Sequence, residues 1–192
     1  MTLSFKEDPI SQIPALMMLE KVGYTYLTPA EAMALRGGNA SNVLLEPILR
    51  EQLAKINTVQ VSSQRTTVFS EQNITAGIEA LRNLPMAEGF MTASQVAYDL
   101  LTAGKTLEQI VDGDKKSYVM QYIDWKHIEN NAFHVTEEFA VSRTGMSDTY
   151  RPDIMLFVNG IPLCVIECKR PDIKDSLKQA ISQHLRNQKE DG

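Results

Sequence analysis

Cysteine is almost missing from this chain: two in 192 residues, Cys164 and Cys168. The residues around them are β-type, and four residues of strand separate two positions by about 13 Å. That is too far for a disulfide. The pair reads as small core residues in a reducing cytoplasm. Long hydrophobic runs are also lacking, and no stretch approaches the ~20 apolar residues of a membrane span. Met1–Asp8 carries no signal-peptide pattern, so the chain is expected to be cytoplasmic, with no membrane partner. A basic excess is missing too. The net charge of −5 does not advertise a nucleic-acid binder. Histidines are few, and the isolated His127 and His134 read as structural. No Gly-x-x-x-x-Gly-Lys phosphate loop, helicase motif or methyltransferase signature is present.

What is there is 43% hydrophobic and 22% charged, which suits one α+β domain or one with a helical lobe. Residues 10–22 read as a helix, with Ser11 as cap, Pro14 in its first turn and Gly23 after its end. Thr28-Pro29-Ala30-Glu31 is a capping box. Ser41 or Asn42 is expected to start a helix reaching Ile56, although Pro47 also suits a first turn. Residues 57–70 are polar and β-branched and read as loop. Ser70 caps a helix to about Leu84, and Met91 to Ala103 is another, closed by Gly104. Residues 1–106 thus read as a helical N-terminal lobe packing on a core formed by 107–192. In that core Asp112-Gly113-Asp114 is a turn, Ser117–Ile123 and Ala132–Val141 are strands, and Lys174–Lys189 is a helix. The strands are expected to form a four-stranded meander with the hairpin that follows.

That hairpin is Tyr150 to Pro171. Two apolar runs are joined by Asn159-Gly160, a strong hairpin signal. Asp153 opens the first run. Glu167 and Lys169 stand near the end of the second and, two apart, share a face. Two carboxylates can hold Mg²⁺, which prefers oxygen ligands and keeps several waters. A lysine beside them can orient a water and counter charge that builds up on a phosphoryl group. A structural ion pair at a hairpin end would look similar. The register makes a sharper demand. A two-residue Asn-Gly loop would put Asp153 on the face away from Glu167. Convergence therefore predicts a three-residue loop Val158-Asn159-Gly160 with a bulge at Gly160, or a bulge near Asp153.

Pro152-Asp153 followed by Glu167-Cys168-Lys169, 14 residues from acid to acid, resembles the PD-(D/E)XK nuclease core. The fuller run Arg151-Pro152-Asp153 to Val165-Ile166-Glu167-x-Lys169 looks like the N-terminal nuclease domain of the R subunit of type I restriction enzymes. The resemblance implies a restriction-endonuclease-like core: an antiparallel or mixed sheet of about four strands flanked by helices. It implies a Mg²⁺-dependent DNA endonuclease, with Mn²⁺ as a possible substitute, that cuts duplex DNA without reading sequence. Catalysis falls to Asp153, Glu167 and Lys169, and metal binding to Asp153, Glu167 and the Cys168 carbonyl. The supporting candidates are Gln183 and Gln179 on the last helix and Gln12 and Glu20 on the first, with Gln12 where the family often has glutamate. Glu137 or Glu138 could face the cleft. The basic excess from Lys169 to Lys189 would meet DNA phosphates. ATP would belong to motor domains absent from this chain. Its partners would be double-stranded DNA and the methyltransferase and specificity subunits. A repair or recombination PD-(D/E)XK nuclease, or a non-catalytic docking domain of the same fold, is the alternative.

Overall fold

The computed structural model describes residues 11–62, 64–142 and 149–168. The fold is α+β, as the sequence implied, and forms two compact units that interleave along the chain. The first takes Met1–Val43, Phe133–Phe157 and Pro162–Gly192; the second takes Leu44–Ala132 and Val158–Ile161. No described helix is long and apolar enough to cross a membrane.

In the first unit, α1 (Ile13–Lys21) and α2 (Pro29–Leu35) flank a sheet. Thr28 and Glu31 close the capping box at α2, with the Glu31 N–H donating to Thr28 Oγ1 at 3.2 Å and the Thr28 N–H to Glu31 Oε2 at 2.8 Å. The sheet has the order β1 (Thr25–Tyr26), β6 (Phe133–Glu137), β9 (Ile154–Val158), β10 (Ile161–Ile166). β1 runs parallel to β6, with Thr25 opposite His134. Glu138 N donates to Asp153 O, and Asn159 N donates to Ala132 O. One number rises as the other falls, so β6 and β9 are antiparallel and the sheet is mixed. Leu16, Val135, Ile154 and Cys168 form its core. Beside them the buried Arg36 lays its guanidinium 4.1 Å from the centre of the Phe139 ring. It also donates to the carbonyl of Ala140 at 2.8 Å, so the burial leaves no bare charge. β7 (Val141–Ser142) and β8 (Thr149–Tyr150) pair as a short antiparallel ribbon.

The second unit holds α3 (Glu46–Ile56), α4 (Glu71–Arg82) and α5 (Phe90–Ala103) with two antiparallel hairpins, β2 (Thr58–Ser62) with β3 (Arg65–Val68) and β4 (Lys105–Val111) with β5 (Asp114–Met120). Leu49, Leu53, Ile74, Ile78, Met120 and Tyr122 are central to its core. The tip of the β9–β10 hairpin belongs here. Asn159 is fully buried. Its amide donates to Tyr122 O at 2.9 Å and Asn131 Oδ1 at 2.8 Å, and its Oδ1 accepts from Ala132 N at 2.8 Å.

Several expectations are corrected. Residues 57–70 are not loop: they hold the β2–β3 hairpin, whose Val59 is buried in the core of this unit while Thr58 and Gln60 on the other face are exposed. α3 starts at Glu46 and not at Ser41, because Pro47 suits the first turn. α1 is not capped by Ser11, and Gln12 occupies the N-cap. The 117–123 strand does not join the central sheet; it pairs with β4, and the short β1 takes the place beside β6. The Asn-Gly turn is two residues long, with φ of +52° at Asn159 and +79° at Gly160. Both central residues positive is the signature of a type I′ turn, so the three-residue loop is not formed. The expected helix at 174–189 lies outside the described residues.

Candidate active site

Both ends of the hairpin leave the ladder, and this is how the Asp153 side chain meets the backbone beside Glu167 in spite of the even turn. β9 begins at Ile154, with Asp153 in a bend before it, and β10 ends at Ile166, one residue short of Glu167. Released from strand register, Asp153 reaches over the end of β10. Its Oδ2 accepts from the backbone N–H of Cys168 at 2.6 Å. Glu167, half-buried, accepts at Oε1 from the Tyr150 hydroxyl at 2.6 Å. Such short bonds to a carboxylate are of the charge-assisted kind.

Asp153 is held from its backbone as well. Its carbonyl accepts from Glu138 N at 3.1 Å and from Gln12 Nε2 at 3.0 Å. Glu138 adopts φ of +46°, a conformation that costs a non-glycine residue energy and tends to occur at functional sites. Gln12, only 6% exposed, also donates to Glu137 Oε2 at 3.3 Å. The second oxygen of Glu137 accepts from the Tyr26 hydroxyl at 2.8 Å. Burial first, and then the bond to Glu137, push the Tyr26 hydroxyl up to about 12, so it stays a donor at neutral pH. A cleft of about 510 Å³ opens here, lined by Gln12, Glu20, Tyr26, Glu137 and Glu138 with apolar side chains of α1.

The sequence-derived residues therefore divide. Asp153, Glu167 and Cys168 come together at one end of the sheet, and Gln12 joins them through the Asp153 carbonyl. Glu20 lies on the cleft wall, exposed. Of the two glutamates expected near the cleft, Glu137 is bonded into the network, while the Glu138 side chain pairs with Arg151 at 3.5 Å. Lys169, Gln179 and Gln183 lie outside the described residues. Tyr26 and Tyr150 were not singled out from sequence. A hydroxyl–carboxylate contact between distant residues leaves no periodic trace, although Tyr150 stands only three residues before Asp153.

Among the described residues no three Asp, Glu, His or Cys side chains are grouped to hold a metal ion. The donors present are nonetheless of the right type for a hard cation. Asp153 and Glu167 each engage one oxygen in the bonds above and leave the other, Oδ1 and Oε2, without a hydrogen bond among the described residues. Two carboxylates with waters suffice for Mg²⁺. The Cys168 side chain packs into the core, which leaves its backbone carbonyl, not its thiol, as the further donor.

The chain matches the family model described as "Type I restriction enzyme R protein N terminus" over residues 4–192. Relatives include the "Putative type I restriction enzyme MjaVIIIP endonuclease subunit" of Methanocaldococcus jannaschii, 31% identical, covering 90% of this chain and 15% of the relative. The MjaIXP counterpart from the same organism is 24% identical, covering 96% and 17%. The "Type I restriction enzyme HindI endonuclease subunit" of Haemophilus influenzae is 29% identical, covering 92% and 16%. The chain thus spans about a sixth of the length of these relatives.

Proposed function

The chain belongs to the family of type I restriction enzyme R protein N termini, and from that membership we propose that it is the Mg²⁺-dependent DNA endonuclease domain of a restriction R subunit. Asp153 and Glu167 would hold the cation, with the Cys168 carbonyl as a further ligand. The bound ion would polarise the phosphoryl oxygen and lower the pKa of an attacking water. Lys169 would orient that water and offset the charge developing on the phosphate. Duplex DNA would be the substrate, and because the acidic chain offers little of its own to hold it, the methyltransferase and specificity subunits and an ATP-driven motor would present it. Mn²⁺ would substitute for Mg²⁺.

The observation that carries this reading is the 2.6 Å bond from Cys168 N to Asp153 Oδ2, which ties one acid to the residue beside the other. Mn²⁺ titrated into the natural polypeptide that carries this sequence tests the reading, with Asp153→Ala and Glu167→Ala beside it. Binding in the unsubstituted protein that either change abolishes is expected, together with loss of DNA cleavage by the assembled complex. Binding and cleavage that survive both substitutions would overturn it and leave a docking domain.

A further inference from the structure

We propose that Glu137 is a positioning residue for Asp153, acting through the side-chain amide of Gln12. The inference rests on the reading that Asp153 holds a divalent cation. A carboxylate only accepts hydrogen bonds. Glu137 Oε2, 3.3 Å from Gln12 Nε2, therefore requires the amide to present its NH₂ and not its oxygen. The same NH₂ then donates to the Asp153 carbonyl at 3.0 Å. Without the carboxylate the amide keeps only the Asp153 carbonyl as acceptor and is held less firmly against it.

Glu137 is itself fixed from behind. The Tyr26 hydroxyl donates to its other oxygen at 2.8 Å, and the raised value of that hydroxyl keeps the proton in place. The chain of donors runs from Tyr26 in β1 through the end of β6 to the N-cap of α1. It ends on the backbone of the residue whose side chain crosses to Cys168. Gln12 is nine-tenths buried, so water is a poor replacement for its contacts.

The test is Mn²⁺ titration of the natural polypeptide with Gln12→Met, Glu137→Met and the double variant, alongside unfolding temperatures measured without metal. Each of the first two is expected to weaken Mn²⁺ binding about tenfold or more, the usual cost of losing a partner that orients a ligand. The double variant should bind no worse than the weaker single, because both act along one route. Binding by Glu137→Met equal to the unsubstituted protein overturns the proposal. So do additive losses in the double variant. Should Glu137→Met fail to fold, Gln12→Met carries the test, and full affinity there overturns it. No Mn²⁺ binding by the unsubstituted protein overturns the metal reading itself, a result distinct from all of these.

Discussion

The Tyr150 hydroxyl donates to Glu167 Oε1 at 2.6 Å, across 17 residues of chain. Tyr150 closes the β7–β8 ribbon, and Glu167 follows β10. The bond fixes the rotamer of a carboxylate that would otherwise swing from a strand end. Tyr150→Phe keeps the ring and removes the bond. It is expected to cost about 1 kcal/mol of stability, below the usual range for a bond to a charged group because both partners are only half-buried. Thermal unfolding of the natural polypeptide measures this, and no loss at all would show that the bond carries nothing.

Asn159→Ala is expected to be far more damaging. It takes the partner from Ala132 N and the amide donor from Tyr122 O, both inside the second unit. Each buried group so orphaned costs about 1–3 kcal/mol. The φ of +52° adds about 1 kcal/mol for any residue with a Cβ. Two such groups and the backbone cost together make about 3–7 kcal/mol. Asn159→Gly should recover only the backbone part. Trp125, the single tryptophan, sits in the same unit and donates to Leu101 O at 2.9 Å. Its fluorescence in a urea titration reports the loss.

Gly160→Ala should also destabilise. At φ of +79°, an added Cβ would stand 2.6 Å from Leu45 O and 3.0 Å from Leu49 N. Both are backbone atoms at the start of α3 and cannot step aside as a side-chain tip would. A loss above about 2 kcal/mol is expected, from strain together with overpacking. The same fluorescence titration checks it.

His134 gives the chain a pH dependence. Burial holds its pKa below the ordinary 6.5, and its Nδ1 is buried without a partner among the described residues. The unfolded chain takes up a proton near pH 6.5 that the folded chain resists. Stability from this group is therefore complete above that pH and is lost as pH falls through the window below it. His134→Leu should flatten the fall of unfolding temperature between about pH 7 and 5, the region where free histidine titrates. An unchanged slope would mean that other groups dominate.

Lys169→Ala is expected to spare folding and abolish cleavage by the assembled complex. A loss of at least about 100-fold would match removal of one group that stabilises transition-state charge. On the proposed function, ATPase and translocation should continue, since the motor would be formed by other residues. Their loss together with cleavage would count against the assignment.

Local chemistry made much of this legible. The Thr28–Glu31 box, the Ser70 cap, the Asn159-Gly160 turn and the Asp112-Gly113 turn are each written in adjacent residues, and each formed. Thr58–Ser62 does alternate polar and apolar residues, but the run is five residues long and its partner Arg65–Val68 opens with three polar ones, so the stretch reads as loop. Tyr24–Leu27 reads as a short extended piece and β1 lies within it, but two residues of strand carry nothing that says which neighbour they pair with. The even turn does not keep Asp153 from Cys168, because both residues stand outside the strands, and strand ends are what a sequence marks least. The Tyr26–Glu137–Gln12 contacts join residues more than a hundred positions apart, and no local signal encodes them.

The buried Asn159 has a consequence for how the protein is made. Ala132 ends the long stretch of the second unit, and the residue that satisfies its N–H emerges 27 positions later. At about 5–20 residues per second the ribosome needs roughly one to five seconds to deliver it. Through that interval Tyr122 O and Ala132 N lack the partner that the finished core provides, and the hydrophobic places of Val158 and Ile161 stand empty. A nascent chain stalled between those points should be cut by protease within 44–132, whereas one carrying Ile161 beyond the exit tunnel should resist.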